Sequence, residues 1–320
     1  MPKSRIKLGI IGSGDIFKKH LEGIVKNSDK FEIIGIANHS KDLNVELPKG
    51  WKPQVFYDHR EMFDSLKESI DCVVVLTQSS YHYEITKEAI EHGYDVLVEK
   101  PFSNESSKVV EVENLAKQKG VNIYVVLQCR YMSIVKALGE ILEKKLLGEI
   151  RCVDLNQVWN RPSGFLSMKK PLKLVLEYGI HNLDILQKYF GIPEVLYTKS
   201  YKYKHLDQDY NDTVRALVQY PDNISGILNI TLAAEPRNIA TEFQILGSEG
   251  YCKIDLLGYD IDLRLKDESG QFVINDIKKM VVEDSLFSDL YNALYEGNAP
   301  TISSILPVTK FVEQIYARES

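Results

Sequence analysis

Short apolar runs alternate with amphipathic stretches over residues 6–128. Runs this short, bounded by glycine or polar turns, are typical of strands buried on both faces of a sheet. The runs are Ile6–Ile11, Phe31–Ala37, Val55–Tyr57, Cys72–Leu76, Val96–Val98 and Ile123–Leu127. The stretches with helical periodicity are Ile16–Val25, Tyr81–Glu91 and Glu105–Gln118. Because strands and helices alternate, we predict right-handed crossovers and a doubly wound parallel α/β domain.

The pattern changes after residue 130. The periodicity predicts helices at Ser133–Leu147 (with Gly148 as its cap), Glu177–Tyr189, Asp284–Glu296 and Ile305–Arg318. It predicts strands at Ile150–Val158, Thr213–Tyr220, Ser225–Leu232, Thr241–Leu246 and Gly250–Asp255. Strands joined by short turns favour an α+β domain with a largely antiparallel, open-faced sheet. We therefore predict a first domain over 1–125, a second over 126–300, and a C-terminal helix within 301–320 that packs back on the first.

Composition excludes several classes. The chain has 320 residues, and 39 Lys and Arg against 45 Asp and Glu give a net charge of −6. This balance disfavours nucleic acid and anionic membrane surfaces as partners. The sequence contains no apolar stretch long enough to span a bilayer and no secretory signal pattern. Its four cysteines form no CxxC pair, so we expect neither a zinc site nor a disulfide framework, and a cytoplasmic location.

A glycine turn follows the first predicted strand and opens the first helix. Glycine at positions 12 and 14 permits a tight turn and close approach of the backbone to a pyrophosphate. The helix start adds free N–H groups and a partial positive charge. We therefore predict a dinucleotide site of the Rossmann type. The residues of this turn are Gly12, Ser13, Gly14, Asp15 and Ile16.

The end of the second strand bears on the choice between NAD and NADP. An acid is expected there to bond the ribose 2′-hydroxyl. The chain instead has Asn38, His39 and Ser40. Without a carboxylate a 2′-phosphate is not repelled, so this loop slightly favours NADP, although Asn38 also suits NAD. His39 is equally explained as a solvated loop residue.

Four motifs, in order along nearly the whole chain, resemble the Gfo/Idh/MocA oxidoreductase family. They are the glycine turn, Thr77 with His82, the segment Glu99-Lys100-Pro101, and Gly179-Ile180-His181-Asn182-Leu183-Asp184. The resemblance implies a nicotinamide cofactor and substrates such as sugars, cyclitols and their derivatives. It also implies cofactor contacts from Thr77, Gln78, His82, Glu99, Lys100 and Pro101. Within the family, Val153–Asn156 and Trp159–Pro162 resemble the nucleotide-sugar 3-dehydrogenases.

Several positions depart from the family pattern. Gln78 and Ser79 follow Thr77 where the family has Pro-Asn, and Lys173–Leu176 replaces a glycine-rich stretch. Glu177 stands where an Asp is usual. These changes leave open a nucleotide-binding or regulatory protein without turnover, and an imine or biliverdin-type reductase.

Lys100 is the first candidate catalytic residue. It directly follows a parallel strand, at the edge where open α/β sheets bind ligands. A lysine there can orient a substrate hydroxyl and relay its proton. A surface lysine in a βα loop is the competing explanation.

His181 is the second candidate catalytic residue. Glu177, His181 and Asp184 share a helix face by their spacing. A carboxylate beside an imidazole orients it for proton transfer, and a structural histidine is the alternative. Glu177 with His181 lacks further ligands at suitable spacing, so we predict no metal site.

Other residues are candidates for substrate binding. Arg130 suits a substrate carboxylate or phosphate, and an interdomain salt bridge fits it equally well. Asp184 and Glu177 are predicted to bind or orient substrate. Trp159, Asn160 and Arg161 are candidates for lining a sugar site, or simply form a strand end and loop. The apolar strands of the second domain predict a homo-oligomer, a dimer or tetramer, built through that sheet.

Overall fold

The structure is a computed structural model that describes residues 4–39, 45–160, 173–204, 211–235, 239–266, 269–274, 278–279 and 284–318. Its helices, numbered in chain order over these residues, are α1 (Asp15–Lys26), α2 (His59–Ser65), α3 (His82–Glu91), α4 (Ser106–Lys119), α5 (Ser133–Glu143), α6 (Leu174–Phe190), α7 (Leu286–Glu296) and α8 (Leu306–Ala317). The chain divides into two compact units. Unit 1 is Met1–Gln128 with Ser285–Leu306, and unit 2 is Cys129–Asp284 with Pro307–Ser320.

Unit 1 contains the predicted parallel sheet. Its strands are β1 (Ile6–Ile11), β2 (Phe31–Ala37), β3 (Gln54–Phe56), β4 (Cys72–Val75), β5 (Asp95–Val98) and β6 (Ile123–Val125). In the described residues they pair in the order β3-β2-β1-β4-β5-β6, and every pair is parallel. The central strands β4 and β5 are almost wholly buried, as expected of strands covered on both faces. The prediction of a Rossmann domain is confirmed.

Unit 2 contains a larger sheet. Its strands are β7 (Ile150–Val158), β8 (Glu194–Tyr201), β9 (Thr213–Tyr220), β10 (Ile224–Thr231), β11 (Ala240–Gly247), β12 (Gly250–Asp255), β13 (Asp260–Lys266), β14 (Phe272–Ile274) and β15 (Lys278–Lys279). Over the described segments the order is β14-β13-β12-β11-β7-β10-β9-β8, with β15 beside β13. Pairing is antiparallel except between β7 and β10. The predicted α+β class is confirmed.

One face of this second sheet is covered by helix α6. The helix comes so close to β10 that a Cβ added at Gly179 would lie 2.7 Å from Ile230 Cδ1. The opposite face exposes apolar side chains, among them Leu217 and Ile227. The sheet thus has one buried and one exposed face, which is common for antiparallel sheets.

The structure differs from the predicted helices at the end of α5 and at α2. The helix predicted to reach Leu147 ends at Glu143, since the chain turns at Lys145, which has a φ of +53°. Gly148 lies in the turns that follow and not at the helix cap. The seven-residue α2 was not predicted.

The units also differ from the predicted domains near the C-terminus. Helix α7 belongs to unit 1, because Phe287 packs on Gly23 of α1 so closely that a Cβ there would lie 2.7 Å from the Phe287 backbone. Pro307–Ser320 belongs to unit 2, where the Tyr316 hydroxyl accepts a hydrogen bond from Val175 N at 3.3 Å. Both assignments depend on contacts between distant parts of the chain.

Candidate functional site

Three strands of unit 1 end side by side and place the predicted cofactor residues at one edge of the sheet. Ile11 of β1 pairs with Val75 of β4, and Val75 pairs with Val98 of β5. Neighbouring strands lie about 5 Å apart, so the chain ends of β1 and β5 are separated by about 10 Å. The glycine turn, Thr77 and Lys100 therefore follow strands that end in one row.

The glycine turn is built as a dinucleotide requires. Gly12 donates its N–H to the carbonyl of Ala37 at 2.9 Å and has a φ of +95°. A Cβ at Gly12 would lie 2.9 Å from the Leu76 carbonyl oxygen, so only glycine fits there.

Gly14 supplies the open space that a phosphate needs. It is the N-cap of α1 and contributes no side-chain cap, and a Cβ placed on it would meet no atom within 4 Å. Open space thus adjoins the N-terminus of α1, where the first N–H groups of a helix have no partner inside the helix and can bind phosphate. Ser13 beside it is buried, whereas Asp15 and Ile16 begin the helix with exposed and half-exposed side chains. This geometry fits the pyrophosphate of a nicotinamide dinucleotide.

The residues after β2 lie at the neighbouring strand end. Asn38 donates its backbone N–H to the Phe56 carbonyl at 2.9 Å, which fixes its main chain beside β3. The side chain of Asn38 is half-buried and that of His39 is exposed. Ser40 lies outside the described residues.

The loop that carries Lys100 is anchored on both sides. Before it, the buried Glu99 carboxylate accepts the Lys100 N–H at 2.9 Å. After it, the Lys100–Pro101 peptide bond is cis, and the Pro101 carbonyl lies 2.8 Å from His82 Nδ1. The other ring nitrogen of His82 lies 3.0 Å from the Thr77 carbonyl, so this histidine bridges the loops that follow β4 and β5.

His82 is nearly fully buried on α3, next to the exposed Gln78 of the preceding loop. Burial lowers the pKa of His82, more strongly than the hydrogen bonds to Pro101 and Thr77 raise it. The ring lies between the Pro101 and Thr77 carbonyls and serves as a brace for the Lys100 loop.

The histidine motif of unit 2 lies on helix α6, as its spacing predicts. Glu177 and His181 are half-buried, and Asp184 is only 1% exposed. Asp184 is bound by Arg130, whose Nε and Nη2 donate to the two carboxylate oxygens at 2.7 and 2.5 Å. This two-point ion pair lies inside unit 2 and fixes both residues that we predicted to bind substrate.

The Arg130 guanidinium is held in its charged form. Burial disfavours the charge, but the hydrogen bonds and the charge of Asp184 outweigh burial and raise the pKa of Arg130. Without Arg130, the buried Asp184 carboxylate would lose the opposite charge that compensates for its lost hydration.

Replacing Arg130 with alanine is expected to lower the free energy of unfolding by about 2 kcal/mol, because Asp184 is left charged and buried. Arg264→Ala provides a matched control: this arginine also makes a forked pair, with Asp262, but its side chain is 48% exposed. The control is expected to cost under about 1 kcal/mol. Urea unfolding of the two variants measures the difference, and equal losses would contradict the assignment.

The remaining predicted residues of unit 2 lie at the end of β7. Trp159 Nε1 donates to Thr241 Oγ1 at 2.8 Å, and Asn160 Oδ1 accepts from Lys204 Nζ at 2.6 Å. Arg161 lies outside the described residues. Both polar groups have partners within the unit, which fixes the chain at the end of β7.

Two further observations concern the described part of the chain. It shows no group of three or more His, Cys, Asp or Glu side chains arranged to hold a metal ion. None of its helices combines the length and apolar character needed to cross a bilayer.

Sequence reasoning missed one residue near the Lys100 loop: Tyr291 of α7, 271 positions from its partner His20.

Curated relatives share part of this sequence. The chain is 28% identical over 226 residues to the uncharacterized oxidoreductase YhhX of Escherichia coli, covering 68% of this chain and 63% of that protein. It is 23% identical over 259 residues to trans-1,2-dihydrobenzene-1,2-diol dehydrogenase of Mus musculus, covering 77% and 73%.

Solved structures share the fold over nearly the full length. WlbA dehydrogenase of Bordetella pertussis, in complex with NADH and UDP-GlcNAcA, superposes with a TM-score of 0.85 at 19% identity, covering 99% of this chain and 96% of that one. Levoglucosan dehydrogenase, in complex with NADH and levoglucosan, gives a TM-score of 0.82 at 17% identity, covering 99% and 98%.

Two family models match consecutive parts of the chain. The model of the oxidoreductase family with an NAD-binding Rossmann fold matches residues 6–127. The GFO/IDH/MocA C-terminal domain matches residues 135–253. Together with the glycine turn, the Lys100 loop and the histidine helix, these matches show that the chain belongs to the GFO/IDH/MocA family of oxidoreductases.

Proposed function

We propose that the protein is an NAD(P)-dependent dehydrogenase that transfers hydride between nicotinamide and a secondary alcohol of a sugar, cyclitol or nucleotide sugar. The observation that carries this proposal is the row of strand ends in unit 1. Lys100 follows a strand whose end lies about 10 Å from the end of the strand that leads into the glycine turn, and open space adjoins Gly14 of that turn. A dinucleotide held by that turn has its reactive end within reach of such a position.

Residues of this protein hold the cofactor, orient the substrate and take its proton. The bound nicotinamide supplies the hydride chemistry. The α1 N-terminus and Gly14 bind the pyrophosphate, and Glu99 and His82 hold the Lys100 main chain from either side. We assign the orientation and deprotonation of the substrate hydroxyl to Lys100, with His181 as second proton-handling group and Glu177 beside it on the same helix face.

Nucleotide sugars are the substrate class we favour. The WlbA dehydrogenase that shares this fold was solved with UDP-GlcNAcA, and the β7 segment resembles nucleotide-sugar 3-dehydrogenases. Asn38 and His39 in place of an acid after β2 lead us to propose that NADPH binds at least as well as NADH.

The decisive assay incubates the protein with NAD or NADP and a panel of nucleotide sugars, free sugars, cyclitols and cyclic diols. Reduced-cofactor absorbance reports turnover. We expect turnover of at least one secondary alcohol, with UDP-linked uronic acids first. Tight binding of reduced cofactor with no turnover of any alcohol would instead support a nucleotide-binding regulatory protein, the alternative that Gln78 and the altered segment 173–177 motivate.

We also propose that the exposed face of the unit 2 sheet joins copies of this chain. Tyr197, Leu217 and Ile227 pair across three strands in one row and are 58%, 44% and 53% exposed. Three large apolar side chains side by side form a patch of the kind found at interfaces between proteins.

Ile227→Lys is therefore expected to convert a dimer or tetramer into monomers, because it places a charge inside the apolar row. Leu257→Lys is the matched control, since Leu257 is 49% exposed but lies in the turn between β12 and β13. Light scattering at micromolar concentration measures the mass of each. A monomeric parent protein would refute the interface.

A further inference from the structure

A buried chain of hydrogen bonds runs through unit 1 to the Lys100 main chain. Tyr291 OH lies 2.9 Å from His20 Nδ1, and His20 Nε2 lies 3.0 Å from Glu99 Oε1. The other oxygen of Glu99 accepts the Lys100 N–H at 2.9 Å. His20 and Tyr291 are fully buried, and Glu99 is 6% exposed. The bonds connect helix α1, helix α7 and the end of β5.

The chemistry of the partners determines which atom is the donor in each of these hydrogen bonds. An ionised carboxylate only accepts hydrogen bonds, so His20 Nε2 carries the proton that faces Glu99. In a neutral imidazole Nδ1 is then the acceptor, and the Tyr291 hydroxyl is its donor. Burial raises the pKa of Tyr291 well above its ordinary value, which keeps the phenol protonated for this task.

The surroundings hold the His20 ring in place. Phe287 lies edge-on to it with ring centroids 4.7 Å apart, and the Tyr291 ring lies at 5.8 Å and 86°. Helices α1 and α7 also approach at backbone distance near Gly23, and Asn27 donates to the Ser288 carbonyl at 3.1 Å. The ring therefore has little room to turn, and its two nitrogens keep their partners.

We propose that His20 is a positioning residue for Lys100, oriented by Tyr291 and acting through the Glu99 carboxylate. The N–H of a residue fixes the direction in which its side chain leaves the main chain. By holding Glu99, His20 fixes the Lys100 N–H and hence the starting direction of the lysine side chain. His20 lies on α1, the helix whose N-terminus would hold the pyrophosphate of a bound dinucleotide. The inference rests on the proposed dehydrogenase function.

Four variants separate positioning from packing. Tyr291→Phe removes one hydroxyl and is expected to lower kcat about tenfold with the cofactor Kd unchanged within about twofold. His20→Leu removes both bonds and is expected to lower kcat about a hundredfold. His20→Gln retains an N–H donor for Glu99 and is expected to recover part of that loss. Tyr94→Phe is the control, because Tyr94 is a buried tyrosine of the same unit that donates to the Lys67 carbonyl at 3.2 Å.

The control is expected to lower Tm about as much as Tyr291→Phe while leaving kcat unchanged. Equal kcat values for Tyr291→Phe, Tyr94→Phe and the parent protein would overturn the proposal, because His20 and Tyr291 would then only pack. A nitrogen-15 spectrum of His20 gives an independent readout: the Nε2–H form is expected, and the Nδ1–H form would overturn the assignment of donors. If the parent protein turns over none of the alcohols, the proposed function fails, and the spectrum still decides the hydrogen-bond chain.

Discussion

Replacing Lys100 with methionine is expected to lower kcat about a thousandfold while the Kd of the reduced cofactor changes by less than about threefold. Methionine has similar length and volume but can neither bond a hydroxyl nor take its proton. The Lys100 main chain keeps its bonds to Glu99 and, through Pro101, to His82, so the loop is expected to hold its shape. Steady-state absorbance of the reduced cofactor measures kcat, and fluorescence titration measures Kd.

Lys117→Met controls for the loss of a lysine from this unit. Lys117 lies on α4, pairs with Glu113 at 2.8 Å and has a side chain that is 68% exposed. We expect it to retain parental kcat. A Lys100→Met variant with full activity would remove Lys100 from the mechanism and leave His181 as the proton-handling candidate.

Replacing Gly12 with alanine is expected to cost about 3 kcal/mol of folding stability and to abolish measurable cofactor binding. A φ of +95° is strained for any residue with a Cβ, at about 1–2 kcal/mol. The added methyl group would also lie 2.9 Å from the Leu76 carbonyl oxygen and 3.1 Å from the Thr77 nitrogen, which are backbone atoms that move only with their strand.

Gly50→Ala separates the cost of backbone strain from the cost of the clash with neighbouring backbone atoms. Gly50 has the same φ of +95°, but a Cβ there would meet no atom within 4 Å. This control is expected to lose only the strain, about 1–2 kcal/mol, and to bind cofactor normally. Thermal unfolding and cofactor titration of both variants make the comparison. Equal effects on binding would contradict the role of the Gly12 turn.

Sequence reasoning worked where structure is decided locally or by periodicity. The apolar runs predicted the six parallel strands, because strands covered on both faces, such as β4 and β6, are apolar throughout. The spacing of Glu177, His181 and Asp184 predicted their shared helix. The glycine turn indicated the cofactor end of the sheet, since few residues other than glycine accept such a backbone.

The features that the sequence did not predict depend on contacts between distant positions. Nothing near Phe287 in the sequence shows that it packs on Gly23 and brings α7 into unit 1. The bidentate pair of Arg130 with Asp184 joins residues 54 positions apart. His20 bonds Tyr291 and Glu99, which lie 271 and 79 positions away along the sequence. Partners of this kind are set by tertiary packing, which a single sequence does not display.

The proposed dehydrogenase function is tested by following the transferred hydride itself. The protein is mixed with oxidised cofactor and a UDP-linked uronic acid deuterated at its secondary carbinol positions, and the reduced cofactor is examined by mass spectrometry. We predict that one deuterium appears on the nicotinamide ring and that Lys100→Met slows its appearance about a thousandfold. The same experiment with deuterated free sugars, cyclitols and cyclic diols extends the test to the other substrate classes. Tight cofactor binding without deuterium transfer from any of them would contradict the proposed dehydrogenase function.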